Sequence, residues 1–150
     1  METIERLWAI EEIKQLMARR TRCVDEKDWD GLAACFCEDA ISYSIQADGI
    51  QGARNIAARI QEALHHRVTV HQIHVPEISI TSNNAAEGIW PMQDDLTWQA
   101  DGKAYWQRGF GQYRQTYEKV QGRWLIKTHR LSYLKFESSF TTSGMPRPIT

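Results

Sequence analysis

The sequence contains five histidines, which are the first candidates for acid–base chemistry. His71 lies in the stretch Thr69-Val-His-Gln-Ile73, whose alternation is typical of a β-strand. A neutral imidazole, with a free pKa of about 6.5, can take a proton from a substrate at neutral pH. A phenol such as Tyr43 or Tyr113 could donate to a carbonyl or a leaving hydroxyl group. These residue types suit proton abstraction followed by elimination or isomerisation, for which we expect neither a metal ion nor a cofactor.

Each titratable residue also has a plainer explanation. His71 could be a hydrogen-bonded core histidine, and His74 should lie on the opposite face of the same strand, which argues against a metal site made from both. Asp25 comes at the end of a predicted helix, where a carboxylate opposes the helix dipole, and it could simply end that helix. Asp94 and Asp95 should point to opposite faces of a strand, which favours a rim or a solvated edge for them.

Length, composition and charge exclude several classes of protein. The chain has 150 residues, of which 42% are apolar and 25% charged, as expected for one globular domain. Its net charge of −1 gives no positive excess for nucleic acid or a membrane surface. The three cysteines, Cys23, Cys35 and Cys37, have no zinc-ligand spacing and are interpreted as free thiols. We therefore expect a soluble, cytoplasmic protein that binds a small molecule.

The hydrophobic pattern changes from helical to strand-like along the chain. It predicts helices at about 3–24, 29–36 and 53–66, and strands at about 40–45, 68–75, 77–81, 85–99, 105–120 and 123–134. This order is typical of an α+β fold in which helices pack on the concave face of one bent, mostly antiparallel sheet. Gly109 and Gly111 suit a bulge or a space for a ligand. Residues 1–134 should form one domain, with 135–150 as a tail that could cover the pocket mouth or a neighbouring subunit.

Four stretches carry a resemblance to a known superfamily. The run Cys23-Val-Asp-Glu-Lys-Asp-Trp-Asp-Gly-Leu32 resembles the first helix-turn of the SnoaL-like, NTF2-like proteins, which have a cone-shaped α+β fold. Residues 69–78 (TVHQIHVPEI), 88–94 (GIWPMQD) and 113–124 (YRQTYEKVQGRW) are similar to the branch that contains scytalone dehydratase, bile-acid 7α-dehydratase and hexachlorocyclohexane dehydrochlorinase. The likeness covers nearly the whole chain.

The resemblance implies roles for particular residues. In that branch an aspartate at the helix end and a histidine on a following strand form a catalytic dyad, and Asp25 and His71 match those places. Tyr43 matches a tyrosine of the dehydratase, whereas Trp90 stands where that enzyme has another histidine. The polar positions of the dehydratase fall near Gly111 and Tyr113. These departures argue against scytalone as the substrate and predict a wider, more apolar pocket.

The sequence leaves several functions open. The first is a lyase or isomerase for an apolar, ring-containing molecule, with His71 as base, Asp25 orienting it, and Tyr43 or Tyr113 assisting at oxygen. A polyketide-type cyclase or a dehydrohalogenase could use the same dyad, and a non-catalytic member would only bind a ligand or a partner. We expect substrate contacts from six residues, of which the last could grip an anionic group: Tyr113, Trp90, Met92, Thr69, Ile73 and Arg130. Aromatic residues on the outer face of the sheet, Trp98, Trp106 and Phe110, could pack on another subunit. The proteins that the chain resembles are commonly trimers or dimers, which implies a homo-oligomer, with a trimer favoured.

Overall fold

Three helices and seven strands make up the computed structural model, which describes residues 1–45 and 47–140. The helices are α1 (Thr3–Asp25), α2 (Trp29–Ala33) and α3 (Ala53–Leu64). The strands are β1 (Phe36–Ser42), β2 (Ile50–Gln51), β3 (Val68–Ile73), β4 (Glu77–Ser82), β5 (Ala85–Ala100), β6 (Lys103–Val120) and β7 (Arg123–Ser138). The predicted α+β class is confirmed.

All seven strands belong to one sheet with the order β2-β1-β7-β6-β5-β3, and β4 also pairs with β5. Every pairing is antiparallel except β1 with β7, which is parallel. The long strand β5 pairs with β3 along Met92–Thr97 and with β4 along Ala85–Ile89. Two short strands therefore pair with different parts of β5: β4 with its N-terminal part and β3 with its C-terminal half.

The helices cover one face of the sheet with apolar side chains. In α1 the residues Ile13, Leu16 and Met17 are almost fully buried, at the spacing that places them on one helix face. In α3 the buried stripe is formed by Ile56, Ala57 and Ile60. Because burial of these residues removes apolar area from water, this layer holds α1 against the sheet and so determines where the helix ends.

The boundary between α2 and β1 differs from the prediction. Asp28 caps α2 by accepting a hydrogen bond from the backbone N–H of Gly31, but the helix ends at Ala33. Phe36, expected on the helix, instead begins β1, which ends at Ser42 and not at residue 45. The backbone N–H of Ile126 donates to the carbonyl of Cys35, so pairing with β7 draws the chain out of the helix. Parallel pairing between distant segments leaves no local signal in the sequence.

The C-terminal strand is longer than predicted. It runs to Ser138, so the first four residues of the expected tail belong to the sheet. Phe140 then packs edge-on against Trp98 and Tyr105. The rest of the tail, residues 141–150, lies outside the described residues.

Two smaller predictions concern the cysteines and the membrane. Cys23, Cys35 and Cys37 are buried free thiols, as predicted. Burial raises the pKa of both the Cys35 and the Cys37 thiol to about 11. Within the described ranges, the helices are too short or too polar to span a bilayer.

Replacing Leu16 with alanine should destabilise the protein by about 2–5 kcal/mol, because a fully buried leucine leaves a cavity in the layer between α1 and the sheet. Leu7 offers a matched control, since it lies in the same helix but is 63% exposed. We expect Leu7→Ala to change stability by less than about 0.5 kcal/mol. Urea unfolding of both variants measures the difference, and equal losses would contradict the packing described here.

Candidate active site

The end of α1 and the middle of β3 bring Asp25 and His71 together. The Asp25 Oδ1 atom lies 2.6 Å from Nδ1 of His71, and its Oδ2 atom accepts the backbone N–H of the same residue at 2.8 Å. The chain turns sharply after the helix, with Lys27 in the left-handed region at φ +62° and the N–H of Asp28 donating to the carbonyl of Cys23. This turn ends the helix with its last side chain directed at the strand.

Other side chains of the turn and of β3 hold the carboxylate. Thr69 donates its hydroxyl to Asp25 Oδ1 at 2.9 Å, and Lys27 Nζ donates to that threonine oxygen at 2.9 Å. Burial opposes ionisation of Asp25, but the hydrogen bonds from His71 and Thr69 and the attraction of the imidazole together outweigh it. The pKa of the Asp25 carboxyl is therefore lowered from its ordinary value, which favours the carboxylate.

The carboxylate determines which nitrogen of His71 faces the ligand space. With Nδ1–H donating to Asp25, Nε2 carries the free lone pair of the neutral ring. The imidazole is only 8% exposed and lines a cavity. A buried imidazole fixed in this tautomer has the geometry of a general base.

The cavity next to His71 has a volume of about 300 Å³ and lies between the helices and the inner face of the sheet. That volume is at the lower end of the range for small-molecule sites. Its apolar wall includes Val24, Ile60, Leu64, Leu96, Leu131 and Phe136. Its polar groups, besides His71, are Arg20, Ser44, Arg67, Asp94, Gln107, Tyr113, His129 and Tyr133. A mostly apolar wall with convergent polar groups suits a small molecule.

Asp94 lines this cavity, whereas the sequence analysis had assigned it to a rim or a solvated edge. It pairs across the strands with His71 and is only 5% exposed, whereas Asp95 points outward to Arg108. Burial raises the pKa of the Asp94 carboxyl, although Tyr133 donates its hydroxyl to Oδ2 at 2.6 Å. The sequence correctly predicted that the two aspartates point to opposite faces of the strand. The residues around Asp94 in the sequence do not show that its side of the sheet is buried.

A glycine makes room for the contact between Tyr133 and Asp94. The backbone N–H of Gly109 donates to Asp94 Oδ1 at 2.9 Å. A Cβ atom at Gly109 would overlap the ring of Tyr133. The strands β6 and β7 also shift register between Phe110 and Gly111. The two glycines therefore accompany a bulge and a close approach of side chains, as their spacing predicted.

Tyr113 is the only predicted substrate contact, apart from His71 itself, that lines the cavity. It is 2% exposed, and its hydroxyl oxygen accepts a hydrogen bond from Arg20 Nη1 at 3.3 Å. The guanidinium also lies 4.9 Å from the centre of the tyrosine ring. Burial raises the pKa of the Tyr113 hydroxyl, which therefore keeps its proton and remains a possible donor.

Four other predicted contacts lie near the dyad but not on the cavity surface. Trp90 and Met92 are each 3% exposed and belong to the hydrophobic core, and Ile73 packs against that core. The Thr69 hydroxyl donates its hydrogen bond to Asp25. These residues share the inner face with His71 as predicted, but the helices fill the space above them.

Tyr43 and Arg130 lie on the opposite face of the sheet, which corrects their predicted roles. The guanidinium of Arg130 is stacked over the Tyr43 ring at 4.4 Å, and both residues line a separate surface depression with Glu77 and Glu87. The physical reason is strand alternation: His129 points inward and is fully buried, so its neighbour must point outward. Tyr43 follows the end of β1, where its N–H donates to the carbonyl of His129.

Sequence reasoning missed Arg20, His129 and Tyr133 as cavity residues. Arg20 follows Ile13, Leu16 and Met17 on the buried face of α1. A charged residue on an apolar helix face was the feature of the sequence that could have indicated a buried arginine. His129, Leu131 and Tyr133 share one strand face. Alternation along the predicted strand places His129 and Arg130 on opposite faces of the sheet, but it does not show which of the two faces inward.

Metal binding was not expected, and the arrangement offers no ligand set for it among residues 1–45 and 47–140. No three His, Cys, Asp or Glu side chains of that part are grouped closely enough to hold an ion. His74 lies exposed beyond the end of β3.

Known proteins with this fold are similar over nearly the full chain. A protein from Novosphingobium aromaticivorans DSM 12444, provisionally named as a scytalone dehydratase, has a TM-score of 0.81 at 20% identity, covering 97% of this chain and 100% of that one. A type 3 hexachlorocyclohexane dehydrochlorinase from Novosphingobium barchaimii LL02 has a TM-score of 0.80 at 16% identity, covering 97% and 100%.

Another structure extends the likeness to a protein described by its fold alone. An NTF2-like protein with a cystatin-like fold, also from Novosphingobium aromaticivorans, has a TM-score of 0.71 at 19% identity and covers 88% of this chain and 86% of that one. At these identities the structures establish a shared fold. The sequence itself matches the SnoaL-like domain family over residues 5–130, most of its length. The chain therefore belongs to the SnoaL-like domain family.

Proposed function

We propose that the protein is a lyase or isomerase in which His71 removes a proton from carbon and Asp25 orients and stabilises the histidine. The observation that carries the proposal is the 2.6 Å contact between Asp25 Oδ1 and His71 Nδ1, at a ring that lines the cavity. An aspartate in this position selects the useful tautomer and offsets the charge that the ring gains on taking a proton. Low exposure strengthens both effects.

The reaction begins with transfer of one proton from a substrate carbon to Nε2 of His71. The electron pair of the broken C–H bond moves into the substrate, where an adjacent carbonyl can hold it as an enolate. In an isomerisation the same proton returns to another carbon, and in a dehydration it leaves with the departing hydroxyl as water. The Tyr113 hydroxyl, which keeps its proton, can donate to the substrate oxygen.

The chemistry of the wall supports an apolar, ring-containing substrate. Leucine, isoleucine, valine and phenylalanine side chains line the cavity beside His71, and most of the surface that the cavity exposes is apolar. The names of two proteins with the same fold, a provisional scytalone dehydratase and a hexachlorocyclohexane dehydrochlorinase, also denote elimination reactions. A polyketide-type cyclisation or a dehydrohalogenation would begin with the same proton transfer.

We also propose that the chain forms a homo-oligomer, with a trimer favoured. Trp106 is 36% exposed on the outer face, with the Arg108 guanidinium 5.2 Å from the centre of its ring. Trp98 contributes less than expected, because Tyr105, Phe140 and Arg67 of its own chain cover it. The cytoplasmic location stays a prediction.

His71→Ala and Asp25→Asn should each lower turnover by about 10²- to 10⁴-fold while the fold is retained. The assay is a panel of cyclic β-hydroxy ketones and β,γ-unsaturated ketones in D2O, followed by proton NMR. Exchange at the carbon next to the carbonyl reports proton abstraction, and new vinyl signals report elimination or isomerisation. Circular dichroism checks the fold of both variants.

His74→Ala is the matched control for this experiment, because that histidine lies close in sequence but exposed, outside the cavity. It should keep the activity of the unaltered protein. Full activity of either dyad variant, or an equal loss in His74→Ala, would contradict the proposed roles.

The lowered pKa of Asp25 makes a prediction about stability and pH. Because the folded carboxyl binds its proton more weakly than the unfolded one, it stabilises the fold at pH values above the unfolded pKa of about 3.9. That contribution is lost as the pH falls through the folded pKa. The stability difference between the unaltered protein and Asp25→Asn should therefore be largest near neutrality and shrink below about pH 4.

Urea unfolding between pH 7 and pH 3 measures this difference. Asp48→Asn is the control, since Asp48 lies exposed in a turn outside the cavity. A gap between the unaltered protein and Asp25→Asn that stays constant down to pH 3 would show that the carboxylate charge does not stabilise the dyad.

A further inference from the structure

Arg67 is a cation at the edge of the cavity without an anionic partner among residues 1–45 and 47–140. It comes directly before β3, is half-buried and lines the same cavity as His71. The ion pairs of this part of the chain join other side chains, so no carboxylate of it lies within ion-pair distance of the Arg67 guanidinium. Burial lowers the pKa of Arg67 from its ordinary value, but an arginine stays protonated at neutral pH. A partly desolvated cation without a partner favours an anionic ligand.

The guanidinium of Arg67 is held in place before any ligand binds. Its central carbon lies 4.0 Å from the centre of the Trp98 ring, a stacking contact that arginine makes readily. Trp98 is itself fixed, because the Tyr105 ring stacks on it at 5.7 Å and the Phe140 ring packs edge-on at 5.6 Å. A side chain that is already ordered loses little conformational entropy when a ligand binds, which favours affinity.

Most of the hydrogen-bond donors of Arg67 have no partner in the described part of the chain. Its Nε–H donates to Nε2 of His66 at 3.4 Å, and Nη1 donates to Oε1 of Gln107 at 3.3 Å. Gln107 is only 7% exposed and lines the same cavity, so this contact directs the guanidinium toward the ligand space. Of the five N–H groups that a guanidinium carries, three are left, including both on Nη2. Neighbouring N–H groups on Nη1 and Nη2 match the two oxygens of a carboxylate.

The corner of the protein around Arg67 is rich in positive charge. Partial desolvation lowers the pKa of the neighbouring His66 from its ordinary value, and the positive charges of Arg67, His65 and Lys27 lower it further. Each of these described charges disfavours a further cation at this place. An anion that approaches the same edge of the cavity therefore meets a positive potential.

The charged groups that line the cavity lead to the same conclusion. Among its described lining residues, Arg20 and Arg67 are cations, and Asp94 supplies the one carboxyl group. The N–H of Gly109 and the hydroxyl of Tyr133 engage that carboxyl, and burial raises its pKa. Even with Asp94 ionised, the lining keeps an excess of positive charge, which an anionic ligand would neutralise.

We propose that Arg67 binds a carboxylate group of the substrate, so that the substrate is a small organic anion with an apolar body. This inference rests on the proposed function and specifies its substrate class. The carboxylate pairs with Nη1 and Nη2 of Arg67, and the apolar body lies against the wall that includes Leu64 and Leu96, beside His71. An ionic contact at the edge of the cavity orients the substrate for proton transfer inside it.

The test compares two one-ring probes that have the same shape and differ in charge, benzoate and benzamide. Titrations followed by NMR should show that the unaltered protein binds benzoate about tenfold or more tightly than benzamide, as expected for a charge-assisted pair. Benzoate should also shift the signals of the Trp98 indole N–H and of the Gln107 side-chain amide. Arg67→Met, which keeps an apolar stem, should weaken benzoate binding by about tenfold or more and leave benzamide binding unchanged.

Two further variants separate recognition of the anion from folding of the cavity. Arg54→Met removes an exposed arginine of α3 that pairs with Asp30 outside the cavity, and it should change neither affinity. Arg67→Lys keeps the positive charge but not the planar pair of N–H groups, so benzoate should bind with intermediate affinity. Should Arg67→Met lose both probes through misfolding, Arg67→Lys decides: weaker benzoate binding with unchanged benzamide binding still supports the proposal.

The proposal fails if benzoate binds Arg67→Met or Arg67→Lys as tightly as the unaltered protein. Equal affinities of the unaltered protein for the two probes would also overturn it. Because none of these measurements involves turnover, the result is separate from the proposed lyase or isomerase activity. Benzoate bound through Arg67 in a protein without that activity would support the carboxylate site and contradict only the proposed function.

Discussion

The candidate site depends on the hydrogen bond between Asp25, the last residue of α1, and the imidazole of His71 on β3. Asp25 reaches His71 because α1 packs its apolar face on the sheet and then ends at a left-handed turn. If the helix were one residue longer or rotated, the carboxylate would point elsewhere. The buried layer of Ile13, Leu16 and Met17 therefore positions the chemistry as well as stabilising the fold.

The inner face of the sheet carries buried polar side chains among its apolar ones. Asp94, Gln115 and His129 are all at most 5% exposed, and each has a specific partner. Burying such groups costs free energy unless their hydrogen bonds are made, so their partners fix orientation closely. The result is a pair of histidines that line one cavity, His71 held by the Asp25 carboxylate and His129 in contact with Gln115 and Arg20.

The sequence predicted the α+β fold, the family and the two residues that the structure joins at the dyad, because those depend on local periodicity and on short motifs. It was wrong about Phe36, since parallel pairing with β7 overrides the helical spacing. It offered Arg130 and not His129 as a substrate contact, because alternation along a strand defines two faces without saying which one the helices cover. Arg20 was overlooked and Asp94 was assigned to a rim or a solvated edge, because a charged residue is expected at the surface unless its three-dimensional partner is known.

The account depends on Asp25 holding His71 with Nδ1–H toward the carboxylate and a lone pair on Nε2 toward the cavity. The most direct measurement is proton NMR of the ring N–H of His71 in the unaltered protein and in Asp25→Asn. We predict a strongly deshielded, slowly exchanging Nδ1 proton that is lost when the carboxylate is removed. A proton on Nε2, or an Nδ1 signal that Asp25→Asn leaves unchanged, would contradict the account.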